Sequence, residues 1–167
     1  MKRRAALASA LAACVAGCGP APQSQARPKL PALPVRDFNG QAKTHLPASG
    51  SPQVINMWAL WCPPCRAELP ALERLAAALA PQGIAVTAIA LAEDLFAVRE
   101  YLGQVAARLP GAVLSPSQPV VRELQLDALP QTFLVDPRGG VIACWVGARD
   151  WDAAQVRGLL AQSLKDG

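Results

Sequence analysis

Residues 56–70 read NMWALWCPPCRAELP, and two different periodicities meet inside this run. Val54 to Leu60 is apolar but for Asn56 over a strand's length, the pattern of a central strand covered on both faces. Downstream, Leu69, Leu72, Leu75 and Leu79 recur at helical spacing. Trp61-Cys62-Pro63-Pro64-Cys65-Arg66 therefore falls at the junction of a buried strand and a helix. Unpaired N–H groups and the positive end of the helix dipole stabilise a thiolate at such a point, lowering its pKa below the usual ~8.5. Cys62 is the candidate nucleophile. Cys65, one turn on, is close enough to close a small disulfide and is expected to be more buried and protonated. Proline is tolerated in the first helical turn, and Pro63-Pro64 stiffens the spacer. Such a pair exchanges disulfides by attack, mixed disulfide and resolution. An inert bridge and half of a zinc site are the alternatives. Zinc is disfavoured because the chain has one histidine, His45, and no second C-x-x-C, so no metal site is expected.

Working outward, strands alternate with helices. Val35 to Leu46 carries Asn39-Gly40, a strong hairpin signal. Ile84 to Leu91 reads as a second buried strand; Val98, Leu102, Val105 and Leu109 mark a second helix. A short strand at Ala112 to Leu114 and a short helix at Pro119 to Leu126 follow. Thr132 to Val135 and Val141 to Val146 form a hairpin across Asp136-Pro137-Arg138-Gly139-Gly140. Val156, Leu159, Leu160, Ser163 and Leu164 close the chain as an amphipathic helix, with Asp150 available as its N-cap. The fold class expected is α/β with a mixed central sheet flanked by helices.

The N-terminus has a different character. Lys2, Arg3 and Arg4 precede 13 uncharged residues, Ala5 to Gly17, too few to cross a ~30 Å hydrocarbon core and suited to a cleaved signal sequence. Leu11-Ala12-Ala13-Cys14 and Val15-Ala16-Gly17-Cys18 both resemble the bacterial lipoprotein box. Cys18 is favoured, because cleavage before Cys14 would leave a short apolar signal core; Cys14 is the alternative. Gly19 to Pro34 holds five prolines in 16 residues, a stiff extended tether. Residues 1–17 thus read as a lipoprotein signal peptide, 18–34 as a lipidated tether and 35–167 as the domain.

The composition agrees. The chain of 167 residues allows one core, and 52% hydrophobic with 17% charged residues excludes disorder. The net charge of +4 suggests an acidic partner until the signal is removed; three of the 16 basic residues leave with it, so 13 remain against 12 acidic ones. No nucleic-acid motif takes their place. Of the five cysteines, Cys144 sits on a predicted strand and is read as a buried small hydrophobe; His45 is read as a surface residue.

NMWALWCPPCRAELP, with LPQTFLVD from Leu129 to Asp136 and the glycine turn after it, resembles the thioredoxin-like TlpA/ResA family of membrane-tethered thiol-disulfide oxidoreductases. The resemblance implies a thioredoxin-like sheet with an N-terminal hairpin and a helix-containing insertion at Glu93 to Leu126. It implies that Cys62 is the exposed attacking thiol and Cys65 the resolving one. Pro130 matches a cis-proline facing the pair, and the backbone of Leu129 would bind an extended client; Trp61, Pro63 and Pro64 complete the substrate-binding candidates. Glu68 matches an acidic residue beneath the site that influences thiol protonation, the bland reading being a solvated helix glutamate. Asn56 stands where thioredoxin has a buried aspartate, and Ala128-Leu129-Pro130-Gln131-Thr132 departs from the G-x-P-E-T of relatives dedicated to cytochrome c maturation. The function expected is reduction of client disulfides on the extracytoplasmic or periplasmic side of a bacterial envelope, with no cofactor. Electrons would come from a DsbD-like membrane reductant, and clients would include apocytochrome c or copper-site proteins. The rivals are an oxidase or isomerase, and a copper- or zinc-binding chaperone using the same cysteines.

Overall fold

The computed structural model describes residues 27–165 other than 44 and 127; the expected signal peptide, Cys14, Cys18 and the first part of the expected tether lie outside that range. Ten elements follow one another as β1 (Gln53–Trp58), α1 (Pro63–Leu79), a 3-10 turn (Ala80–Gln82), β2 (Ala85–Leu91), α2 (Leu95–Val105), β3 (Gly111–Leu114), α3 (Pro119–Glu123), β4 (Gln131–Val135), β5 (Val141–Val146) and α4 (Ala154–Lys165). The sheet order is β3-β2-β1-β4-β5, with β1, β2 and β3 parallel and β4 and β5 antiparallel to their neighbours. This is the thioredoxin-like mixed sheet that the sequence led us to expect.

All six residues of β1 are buried, because it lies mid-sheet and is covered on both faces. On one face Val54, Trp58, Ala88 and Leu134 meet Leu69, Leu72 and Leu75 of α1, Val98 and Leu102 of α2, and Leu160 of α4. On the other, Ile55, Met57, Ile89 and Phe133 meet Val120 of α3 and the N-terminal residues Leu30, Leu33 and Val35. Among the described residues, no helix is long and apolar enough to cross a membrane.

Three expectations need correction. The packed chain begins well before Val35: Val141 N donates to Pro28 O (2.8 Å), Leu30 N to Gly139 O (2.9 Å), and Leu30 and Leu33 are buried. Any tether therefore ends near residue 28, since the two leucines of this proline-rich stretch enter the core. Asp150 is not the N-cap of α4; a turn intervenes, and its carboxylate accepts from Asp152 N instead. Leu109 lies beyond the end of α2, yet it is buried and serves the same core.

The opening hairpin is short, paired through single bridges at Leu33–Leu46 and Arg36–Ala42. Asp37 Oδ1 accepts from Asn39 N and Gln41 N, and Gly40 at φ 82° makes the reversal that a side chain would resist. Leu33→Ala would leave a cavity under the sheet and lower unfolding free energy by about 2–5 kcal/mol in denaturant titration. An unchanged midpoint would show that this segment is not part of the core.

Candidate functional site

β1 ends at Trp58, and the chain turns through Ala59, whose carbonyl accepts from Cys62 N at 3.1 Å. Cys62 is the N-cap of α1: its backbone is extended (φ −100°, ψ 98°) and its sulfur accepts from Cys65 N at 3.3 Å. Pro63 and Pro64 fill the first two helical positions, where their missing N–H groups cost nothing. Cys62 and Cys65 form a disulfide, with Cα atoms 5.3 Å apart. Cys65 is fully buried and Cys62 is only 4% exposed. The expectation of an exposed attacking thiol is thus corrected for the oxidised state, because the Cys62 sulfur is turned inward to bond Cys65.

Around the pair, Trp61 is 74% exposed, Pro63 and Pro64 are exposed, and Leu129 is half-buried against the same core cluster as the cysteines. Register places Gln131 opposite Met57, so the proline before it stands at the end of the sheet from which the Cys62 turn leaves. The Leu129–Pro130 bond is cis, and Pro130 O accepts from Gly147 N at 2.8 Å. A second cis bond, Leu46–Pro47, had no signal in the sequence.

Glu68 is buried, not solvated. Its position one turn beyond Cys65 on α1 places the two on one face of the helix. Oε1 accepts from Asn56 Nδ2 (2.8 Å), and Oε2 accepts from Arg149 N (2.9 Å) and Trp151 Nε1 (3.0 Å). Burial raises its pKa above the usual carboxylate range, while these donors and the Arg149 charge pull the other way. Asn56, Thr132, Arg149 and Trp151 were not in the predicted site. Asn56 had left a trace in the sequence, as the residue in place of a buried aspartate, whereas Arg149 and Trp151 lie in the polar stretch GARDWD that no motif singled out.

Cys144 is exposed, against the expectation of burial. It lies on edge strand β5, where Cys144 and Val146 face outward in alternation with half-buried Ala143 and Trp145. Gln131 Nε2 donates to its sulfur at 3.3 Å. His45 is exposed. Among the described residues, no three His, Cys, Asp or Glu side chains gather as a metal-binding group.

The Redoxin family profile matches residues 26–160. The chain belongs to the Redoxin family. Among relatives, the Bacillus subtilis (strain 168) thiol-disulfide oxidoreductase ResA is 27% identical over 117 residues, 70% of this chain and 65% of that protein. The Pseudomonas aeruginosa thiol:disulfide interchange protein DsbE is 29% identical over 107 residues, 64% of this chain and 57% of that one. The chain thus spans less than two thirds of the length of each, 65% and 57%. Among solved structures, a Chlorobium tepidum protein assigned as a thiol:disulfide interchange protein DsbE superposes with a TM-score of 0.69 at 28% identity, covering 83% of this chain and 96% of that one. Within this Redoxin domain, thiol–disulfide exchange is the chemistry of the Cys62–Cys65 pair.

The Glu68 environment sets a pH dependence. A carboxylic acid with a folded-state pKa above its unfolded value loses folding stability as pH rises through the folded pKa. Glu68→Gln lacks that loss. In chemical denaturation of the oxidised protein, the variant's stability relative to wild type should therefore climb as pH rises from about 4.5. A pH-independent difference would contradict the raised pKa.

Proposed function

We propose that this chain is an exported, lipid-anchored oxidoreductase that reduces disulfides in client proteins outside the cytoplasm. The observation that carries the reading is the Cys62–Cys65 disulfide at the N-terminus of α1, with Cys62 as the cap and Glu68 buried one turn further on. In the dithiol form, the Cys65 N–H and the helix dipole favour the Cys62 thiolate. That thiolate attacks one sulfur of a client disulfide; the client's other sulfur leaves as a thiolate, and a mixed disulfide joins client to Cys62. Cys65 then gives its proton to Glu68 and attacks the Cys62 sulfur. The client's second thiolate is expelled and the Cys62–Cys65 bond closes, so two electrons have passed to the client. A buried carboxylate with raised proton affinity suits this acceptor role.

Trp61, Pro63 and Pro64 offer the client an exposed apolar rim, and the Leu129–Pro130 backbone stands at the same end of the sheet. The reductase direction rests on the resemblance to TlpA/ResA, and attachment rests on the lipoprotein box ending at Cys18, with Cys14 the alternative. Repeated turnover in an oxidising compartment requires a membrane reductant of the DsbD type. Apocytochrome c and copper-site proteins are the client classes proposed.

In the full-length protein, Cys65→Ser should accumulate mixed disulfides with clients, and adding Cys62→Ser should abolish them. The potential of the pair should lie near thioredoxin's, about −270 mV; a value near DsbA's, about −120 mV, would overturn the direction. Cys18→Ser should release the protein into the soluble fraction, whereas continued membrane association would count against that anchor.

A further inference from the structure

Three donors converge on the Glu68 carboxylate, and two of them come from one short stretch after β5. Arg149 N and Trp151 Nε1 both bond Oε2, at 2.9 and 3.0 Å. Trp151 is 1% exposed, so its N–H has given up water and is satisfied by Glu68. Its ring packs edge-on against Trp145 (centroids 6.2 Å apart, 77° between planes), and the Arg149 guanidinium lies 5.6 Å from the Trp145 ring centre. Residues 145–151 thus supply both donors to Oε2 and the packing that fixes them. The same stretch is tied to the cis-proline loop through the bond from Gly147 N to Pro130 O. On the other side, Asn56 Nδ2 bonds both Glu68 Oε1 and Thr132 Oγ1 (2.9 Å).

We infer that Trp151 is a positioning residue for the thiol chemistry, acting through Glu68 by fixing where its carboxylate sits and how readily it exchanges a proton beside Cys65. This rests on the reading of Glu68 as the proton acceptor of the resolving cysteine. A donor to an anionic oxygen favours the ionised acid, and burial favours the neutral one. Removing the indole N–H tips that balance toward the neutral acid, so Glu68 keeps its own proton to higher pH and is unavailable to Cys65 until then. The charged group acting on the Glu68 carboxylate is Arg149 from the post-β5 stretch, Cys65 lies one helical turn before Glu68 on α1, and its other partners, Trp151 and Asn56, are neutral, as is Thr132 of β4 bonded to Asn56.

Trp151→Phe keeps an aromatic ring against Trp145 and deletes the donor together with part of the buried ring volume. The measurement is the rate at which the reduced full-length protein reduces a disulfide-bonded peptide, as a function of pH. Glu68→Gln should abolish one break in that profile. Trp151→Phe should move the same break upward by about one pH unit, the scale of a single hydrogen bond to a charged group. The double variant should match Glu68→Gln alone. A Trp151→Phe profile coincident with wild type, while Glu68→Gln loses the break, would overturn the inference and leave the role of Glu68 standing. Equal shifts with and without Glu68 would overturn it too, since Trp151 would then act by another route. If Glu68→Gln leaves the profile unchanged, the proton-acceptor reading itself fails and this inference with it. Should Trp151→Phe not fold, Trp145→Phe loosens the indole's packing and should move the break the same way by less; no movement overturns the inference.

Discussion

The sulfur of Cys62 caps the helix whose field makes that sulfur reactive, and the rest of the molecule is arranged to keep it there. A helix N-terminus leaves N–H groups unsatisfied. Here two prolines remove two of them, and the Cys65 N–H is directed at sulfur. Holding the cap in place requires a rigid strand before it and a well-packed helix after it. β1 is rigid because it is paired on both sides and buried on both faces. α1 is held by Leu69, Leu72 and Leu75, and continues through Pro70 without ending.

The parts visible in the sequence were those set by local periodicity. The largely apolar run from Val54 supplied β1, which ends at Trp58, and the leucine spacing became the buried face of α1, because both patterns carry their own partner requirement. The turn Asp136-Pro137-Arg138-Gly139-Gly140 formed as read; the Asp136 carboxylate accepts from Arg138 N and Gly140 N, and those bonds, Gly140's first, hold its pKa low. Readings that depended on distant chain failed. Cys144 has the apolar neighbours of a core strand, yet whether an edge strand's outward side is covered is decided by segments far away in sequence. Leu30 and Leu33 lay in a proline-rich leader, and only the assembled sheet shows the surface that takes them in.

The environment of Glu68 shows the same limit more sharply. Its position after Cys65 was readable from one helical turn. Its partners lie 12, 81 and 83 residues away, at Asn56, Arg149 and Trp151, so no spacing rule reaches them. A buried acid is tolerable only when enough donors meet it, and here they come from a central strand and a loop that also touches the cis-proline.

The pairing of Pro28 and Leu30 with Gly139 and Val141 has a geometric consequence. β5 runs antiparallel to β4, and β4 antiparallel to β1, so the start of β5 lies at the opposite end of the sheet from the Cys62 turn. The polypeptide therefore joins the fold on the pole remote from the disulfide. The lipid anchor proposed above would hold the domain by its back, with the redox pole facing away from it.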